Sequence, residues 1–184
     1  MVWTPAGVIS GVVTPFDDAD AVDWESLHRQ LHRLADSGIT AVLVNASMAE
    51  GGHLTAQERD EILTFAVREV GDRIPVVATV YGANTTEAAA EAGRAARAGA
   101  RGLLVYPHPA FGGEPLDPDL PVAYFDALWS AAQLPMVAFR TPAALAPTLS
   151  AQSLLRLSEL PGADAVKDST GDIGCYTHGP GAGV

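Results

Sequence analysis

The sequence predicts an α/β protein built on a parallel sheet. Three observations carry that reading. Short runs rich in β-branched residues alternate five times with segments of helical period, and a sixth such run follows. The runs start every ~25–35 residues, the length of one strand–helix–strand unit. They are continuously apolar and do not alternate with polar residues, as strands covered on both faces require. Two architectures fit: a doubly wound open sheet and a closed eight-stranded barrel. A dinucleotide-binding open sheet wants a glycine-rich turn after its first strand. Thr14-Pro15-Phe16-Asp17-Asp18 is not one, which weighs against the open sheet.

The first strand reads Gly7 to Val13 and ends at Thr14-Pro15-Phe16. Asp23 is placed to cap a helix with Trp24, Leu27, Leu31 and Leu34 on one face, closed by Gly38. A second strand, Ala41 to Val44, leads into the loop Asn45 to His53. Thr55 and Glu58 then have capping-box spacing, and Ile62, Phe65, Ala66 and Val70 form the stripe of the helix they open. Pro75 to Val80 is the third strand, and Thr85 starts an Ala-rich helix ending at Ala98-Gly99. The fourth strand is Gly102 to Tyr106. Residues 107–121 are rich in Pro, Gly and Asp and read as an ordered loop or lid. Tyr124, Phe125, Leu128 and Trp129 mark a fourth helix, and Met136 to Phe139 the fifth strand. Ser150 caps a fifth helix, and Ala163 to Lys167 is the sixth strand. The segment 173–184 is an irregular Gly/Pro-rich tail, where a barrel would place its next helix. A closed barrel of this type typically takes ~250 residues. On that architecture residues 1–172 supply five β/α units plus the sixth strand, and the barrel is expected to be truncated there.

Charge and composition exclude several functions. The formal net charge of −11 argues against nucleic acid or an anionic membrane as partner. Apolar residues at 48% and charged residues at 18% describe a globular chain, not a disordered one. Cys175 is the single cysteine, so no internal disulfide forms, which fits a reducing compartment. The start lacks a basic leader segment, and the expected location is cytoplasmic. There is no His-Glu-x-x-His, no paired-cysteine zinc site and no P-loop. The acidic stretch Glu114 to Asp119 lacks the glycine and spacing of a calcium loop and reads as solvated. No cofactor is expected.

One residue stands out chemically. Lys167 is the only lysine; the remaining basic residues other than histidine are all arginines. Arginine stays protonated, whereas a neutral lysine amine is a nucleophile toward ketones. Ala165 and Val166 directly before it suggest that Lys167 rides on a buried strand.

A set of pieces in fixed order surrounds it: Val13-Thr14-Pro15-Phe16; Glu50 followed by Leu54-Thr55; Gly82-Ala83-Asn84-Thr85-Thr86-Glu87-Ala88; Leu134-Pro135; and Val166-Lys167-Asp168-Ser169-Thr170-Gly171-Asp172. In these pieces, from about Gly7 to Asp172, the chain resembles the dihydrodipicolinate synthase / N-acetylneuraminate lyase family of class I aldolases. The resemblance implies a TIM barrel, and a Schiff base between Lys167 and pyruvate or another 2-oxo acid, followed by making or breaking a carbon–carbon bond with an aldehyde partner. It implies a homo-oligomer as well. Ser47 matches a proton-relay hydroxyl of the family. Met48 replaces a second hydroxyl, leaving the backbone N–H groups of Ser47 and Met48 to hold a substrate carboxylate. Phe139 stands where the family has a relay tyrosine, and it has no hydroxyl. His108 lies in Pro107-His108-Pro109, where many members carry tyrosines, and is a candidate base. Arg140 is a candidate partner for a substrate carboxylate, and Glu50 a carboxylate that braces its loop. Three functions follow: an imine-forming lyase, an inactive barrel fragment, and a 2-oxo-acid binding protein.

Overall fold

The computed structural model describes residues 3–111, 117–142, 148–172 and 174. Six strands make one sheet: β1 (Ile9–Gly11), β2 (Ala41–Leu43), β3 (Val76–Val80), β4 (Gly102–Val105), β5 (Met136–Arg140) and β6 (Ala163–Asp168). Five helices connect them: α1 (Trp24–Ala35), α2 (Ala56–Val70), α3 (Thr85–Ala98), α4 (Asp119–Ala132) and α5 (Ala151–Leu157). Every neighbouring pair is parallel, and the strand order is the sequence order, β1 through β6. A doubly wound sheet reverses its order at a switch point, whereas a (β/α)8 barrel never does. The sequential order therefore decides for the barrel. Six of its strands lie among the described residues, and β1 and β6 are the edges of the sheet they form.

The parity of the strands explains their continuous apolar sequence. Val42, Val76, Ala78, Val80, Leu103, Val105, Met136 and Ala138 pack outward with Leu27, Leu31, Ile62, Phe125 and Leu128 of the helices. Ala41, Leu43, Val77, Leu104, Val137 and Phe139 form a second cluster on the inner face, with Ile9, Tyr106 and Ala165 against it. Alternate residues of one strand serve two apolar layers, so both parities are mostly apolar.

The helix starts follow their predicted caps. The Asp23 carboxylate accepts from the Ser26 N–H at 3.0 Å. Thr55 and Glu58 form a reciprocal capping box, with bonds of 3.2 and 2.7 Å. Asn84 accepts from the Glu87 N–H at 2.9 Å, and Ser150 caps α5 at 3.0 Å. Each cap satisfies donors that the first turn leaves open, typically worth ~1 kcal/mol.

The differences from expectation are local. β1 covers only Ile9–Gly11, because β2 offers it three partners; Val8 and Val13 beyond it are 62% and 47% exposed. β4 stops at Val105, leaving Tyr106 as the first residue of a loop. α4 begins at Asp119, inside the predicted loop, whose first part folds as a single 3-10 turn at Pro109–Phe111. Residues 114–116 of the acidic stretch and, apart from Gly174, the tail 173–184 lie outside the described residues. Among the described residues no helix is long and apolar enough to cross a membrane.

Candidate active site

The carboxyl ends of the strands bring a row of side chains to one rim. β6 carries Lys167 in register with Phe139 of β5. The Lys167 Nζ lies 4.0 Å from the centre of the Phe139 ring, over its face. The Tyr106 ring meets Phe139 edge-on at 4.8 Å, and Tyr81 packs on Tyr106 at 4.5 Å. The Tyr106 hydroxyl in turn accepts from the Ser47 N–H at 3.1 Å. Ser47, Tyr81, Tyr106, Phe139 and Lys167 thus form one line across the ends of five successive strands, β2 to β6.

Below the rim, the inner face opens into a cleft of about 360 Å³ lined by Ile9, Leu43, Val77, Leu104, Val137 and Lys167, with Met48 at its side. Lys167 supplies the single charged group of this lining. Small-molecule sites are of this kind: concave, mostly apolar, with few polar groups aimed inward.

The loop that presents Ser47 is held by its backbone. Ser47–Ala49 form one 3-10 turn, and Glu50 ends it in the left-handed conformation at φ 56°. A Cβ on Gly51 would lie 1.8 Å from the Asn45 carbonyl, so this return of the chain requires glycine. Thr14, of the Thr-Pro-Phe motif, donates to the Ala49 carbonyl at 2.9 Å. Glu50 braces the loop through its carbonyl, which accepts from the N–H groups of His53 and Leu54, while the residue itself is exposed. The bracing expected of its carboxylate comes from the backbone. Met48 is 56% exposed, and its sulfur fills the space beside Gly11. The Ser47 N–H, expected to face a substrate carboxylate, is engaged by Tyr106.

Two other expected site residues are bound up with the chain's own groups. Arg140 is 8% exposed and holds the β5–β6 end together. Its guanidinium donates to the Leu149 carbonyl at 3.0 Å, to Asp168 at 3.0 Å and to Thr170 at 3.2 Å, with Asp172 at 3.5 Å. It is buttressing the turn that follows Lys167, which explains Asp168, Thr170 and Asp172 in the motif. His108 turns its Nδ1 to the Ala110 N–H at 3.0 Å, and its ring packs on Phe111 and Tyr124. That hydrogen bond leaves Nδ1 as the acceptor and the proton on Nε2. His108 shapes its loop and stands in an aromatic cluster, apart from the row that leads to Lys167.

Sequence reasoning missed three participants. Tyr106 was assigned to the fourth strand without a face; two residues after inward-facing Leu104, strand parity points it inward. Tyr81 follows β3 in the same way. Burial, followed by the neighbouring Tyr106, pushes the Tyr81 hydroxyl above the usual phenol range. The third is Glu91, on the buried stripe of α3 beside Ala88, Ala92 and Ala95. Glu91 is 6% exposed and accepts from Arg59 at 2.7 Å, from the Tyr81 N–H at 2.9 Å and from the Gly82 N–H at 3.2 Å. It fixes the turn that aims Tyr81, and Glu91→Gln leaves the Arg59 charge uncompensated. With the Arg59 side chain 15% exposed, the expected loss is about 3 kcal/mol, the low end for a broken buried pair, read from urea unfolding.

Comparison with known proteins gives a consistent picture. Residues 4–178 match the model of the dihydrodipicolinate synthetase family. A 4-hydroxy-tetrahydrodipicolinate synthase of Streptomyces coelicolor is 34% identical over 173 residues, which are 93% of this chain and 56% of the relative. A DapA-like lyase of Halobacterium salinarum is 31% identical over 167 residues, 91% of this chain and 54% of the relative. Among solved structures, a dihydrodipicolinate synthase of Bacillus anthracis superposes with a TM-score of 0.84 at 25% identity, covering 95% of this chain and 59% of that one. The chloride-inhibited synthase of Acinetobacter baumannii, solved with pyruvate, superposes with a TM-score of 0.82 at 25% identity, covering 91% and 57%. The chain therefore spans a little over half the length of the proteins it matches.

Proposed function

The chain belongs to the dihydrodipicolinate synthetase family, and from that premise we propose that it forms an imine between Lys167 and pyruvate or a related 2-oxo acid, as a class I lyase does. The observation that carries this reading is the placement of the sole lysine: on an inner strand end, over an aromatic floor, lining an apolar cleft.

The neutral Lys167 amine attacks the C2 carbonyl carbon, and the carbonyl electron pair moves to oxygen, which takes up a proton while the attacking nitrogen gives one up. The resulting carbinolamine loses that oxygen as water, which needs a second proton, and a protonated imine remains. The imine then accepts the electron pair of the C3–H bond, whose proton passes to solvent, or of the C3–C4 bond, whose C4 fragment leaves as an aldehyde as its hydroxyl gives up a proton. Either way an enamine results, and the route to carbon–carbon bond cleavage or formation is open. Phe139 supplies no proton for these steps. Tyr106 is the hydroxyl in the row beside it. Because the Ser47 N–H already donates to the Tyr106 oxygen, the phenol proton is the part left to point elsewhere. Tyr106 is thus assigned the acid role, with the Ser47 hydroxyl as companion.

Phe139 also favours a second reading, a 2-oxo-acid binding protein that forms the imine and stops there. Incubation with pyruvate and borohydride tests the first claim. The expected product is one reduced adduct, mapped to the Lys167 peptide by mass; unlabelled Lys167 in folded protein sinks both readings. Labelling without consumption of any of a panel of aldehydes decides for binding over turnover.

A further inference from the structure

We propose that His28, His32 and Glu69 form a divalent-cation site, suited to zinc, on the outer helical layer. His28 and His32 are one helical turn apart on α1, and Glu69 comes from the last turn of α2. The two imidazoles aim at one carboxylate oxygen. The Nδ1 of His28 lies 2.8 Å from Glu69 Oε2, and the Nε2 of His32 lies 3.3 Å from the same atom. The three donor atoms all fall within 4.8 Å of one another. A tetrahedral zinc with bonds of ~2.0–2.2 Å holds its donors roughly 3.3–3.6 Å apart. Small rotations of the two imidazoles therefore bring all three donors onto one ion. Two imidazoles and one carboxylate are a borderline-soft set that fits zinc better than magnesium or calcium, which take oxygen ligands.

The surroundings hold these side chains in place. Leu27 and Leu31, the immediate neighbours of the histidines, are fully buried and pin the face that carries them. The rings contact each other at a centroid distance of 4.2 Å, tilted by 42°. Arg68 occupies the other carboxylate oxygen, Oε1, at 2.9 Å, leaving Oε2 as the donor. A ligating carboxylate held in this way by an outer partner is the usual arrangement. Arg73 also lies 3.4 Å from His32 Nδ1. Since Arg73 is already paired with Asp36, it gives up that long contact when Nδ1 carries the ring proton. Three protein ligands leave one position for water. The site lies on the helical side of the sheet, and Lys167 on the inner side, so the cation clips α1 to α2 and takes no part in the imine chemistry.

The test is a calorimetric titration of the chelator-treated, full chain with zinc at pH 7.5, with melting curves alongside. One equivalent is expected to bind and to raise the melting temperature. His28→Ala, His32→Ala and Glu69→Gln are each expected to weaken binding beyond the roughly 10- to 100-fold loss typical of outer-shell changes. A Cys175→Ser/His178→Ala variant, which removes the single cysteine and the histidine near it in sequence, is expected to bind as the parent does. The proposal is overturned if no stoichiometric zinc binds, if His28→Ala or His32→Ala binds undiminished, or if the Cys175/His178 change is the one that abolishes binding.

Discussion

Lys167→Met is expected to abolish borohydride trapping of pyruvate on any side chain while leaving the fold intact. The argument rests on arithmetic as well as geometry. With one lysine in the chain, the amines available are Lys167 and the chain's α-amine. Removing Lys167 therefore removes every side-chain route to an imine. Methionine keeps an unbranched side chain of similar reach and removes the amine that lies over the Phe139 ring. A substitution of this kind on a half-buried strand residue costs little. Each 1 kcal/mol lost would lower the melting temperature of a chain this size by only roughly 2–4 °C. Lys167→Arg sharpens the result. It retains a cation over the ring but offers no nucleophile, so it separates the charge from the chemistry. Adduct formation in Lys167→Met at the parent's rate and yield would remove Lys167 from the mechanism.

The topology was open to reading because each strand of the barrel serves two apolar layers. Val76 to Val80 reads as a doubly covered strand, and the spacing of Thr55 and Glu58 marks the start of α2. The strand pattern alone left open the choice between barrel and open sheet, since strand order is set by long-range pairing that no local pattern encodes. The turn after the first strand and the family resemblance pointed to the barrel, and the sequential strand order bears that out. In the site, Lys167 was conspicuous by its uniqueness, whereas the work of Arg140 was hidden. An arginine beside a reactive strand end reads equally well as a substrate ligand and as a brace. Only the positions of Asp168, Thr170 and the Leu149 carbonyl show it bracing the turn after Lys167. Tyr106 was hidden for another reason. It falls one residue beyond β4, where strand parity still governs the side chain although the ladder has ended. Its value is visible only with Phe139 beside it, and those residues are brought together by the β4–β5 pairing.

That pairing generates the second large prediction. Tyr106→Phe retains the ring stack between Tyr81 and Phe139 and deletes one hydroxyl, together with the 3.1 Å bond from Ser47. The stability cost is that of one partly solvated hydrogen bond, ~1 kcal/mol. The chemical cost is far larger if the hydroxyl donates the proton that expels water from the carbinolamine. General acid help of this type is worth ~10²–10⁴-fold, or about 3–5 kcal/mol of barrier. The time course of borohydride-trapped adduct is expected to slow by that factor, with the final yield preserved. Phe139→Tyr provides the converse. The Phe139 ring centre lies 4.0 Å from the amine, so a hydroxyl on that ring sits close to the reacting carbon. The Tyr106→Phe/Phe139→Tyr double variant is therefore expected to recover most of the lost rate. A structural role for Tyr106 predicts the opposite pattern, since a new hydroxyl on residue 139 cannot replace the lost bond to the Ser47 N–H. Recovery of rate without recovery of melting temperature distinguishes proton transfer from loop support. An unchanged rate in Tyr106→Phe would leave the carbinolamine to be dehydrated by solvent, and would count for the reading in which this site captures a 2-oxo acid without turning it over.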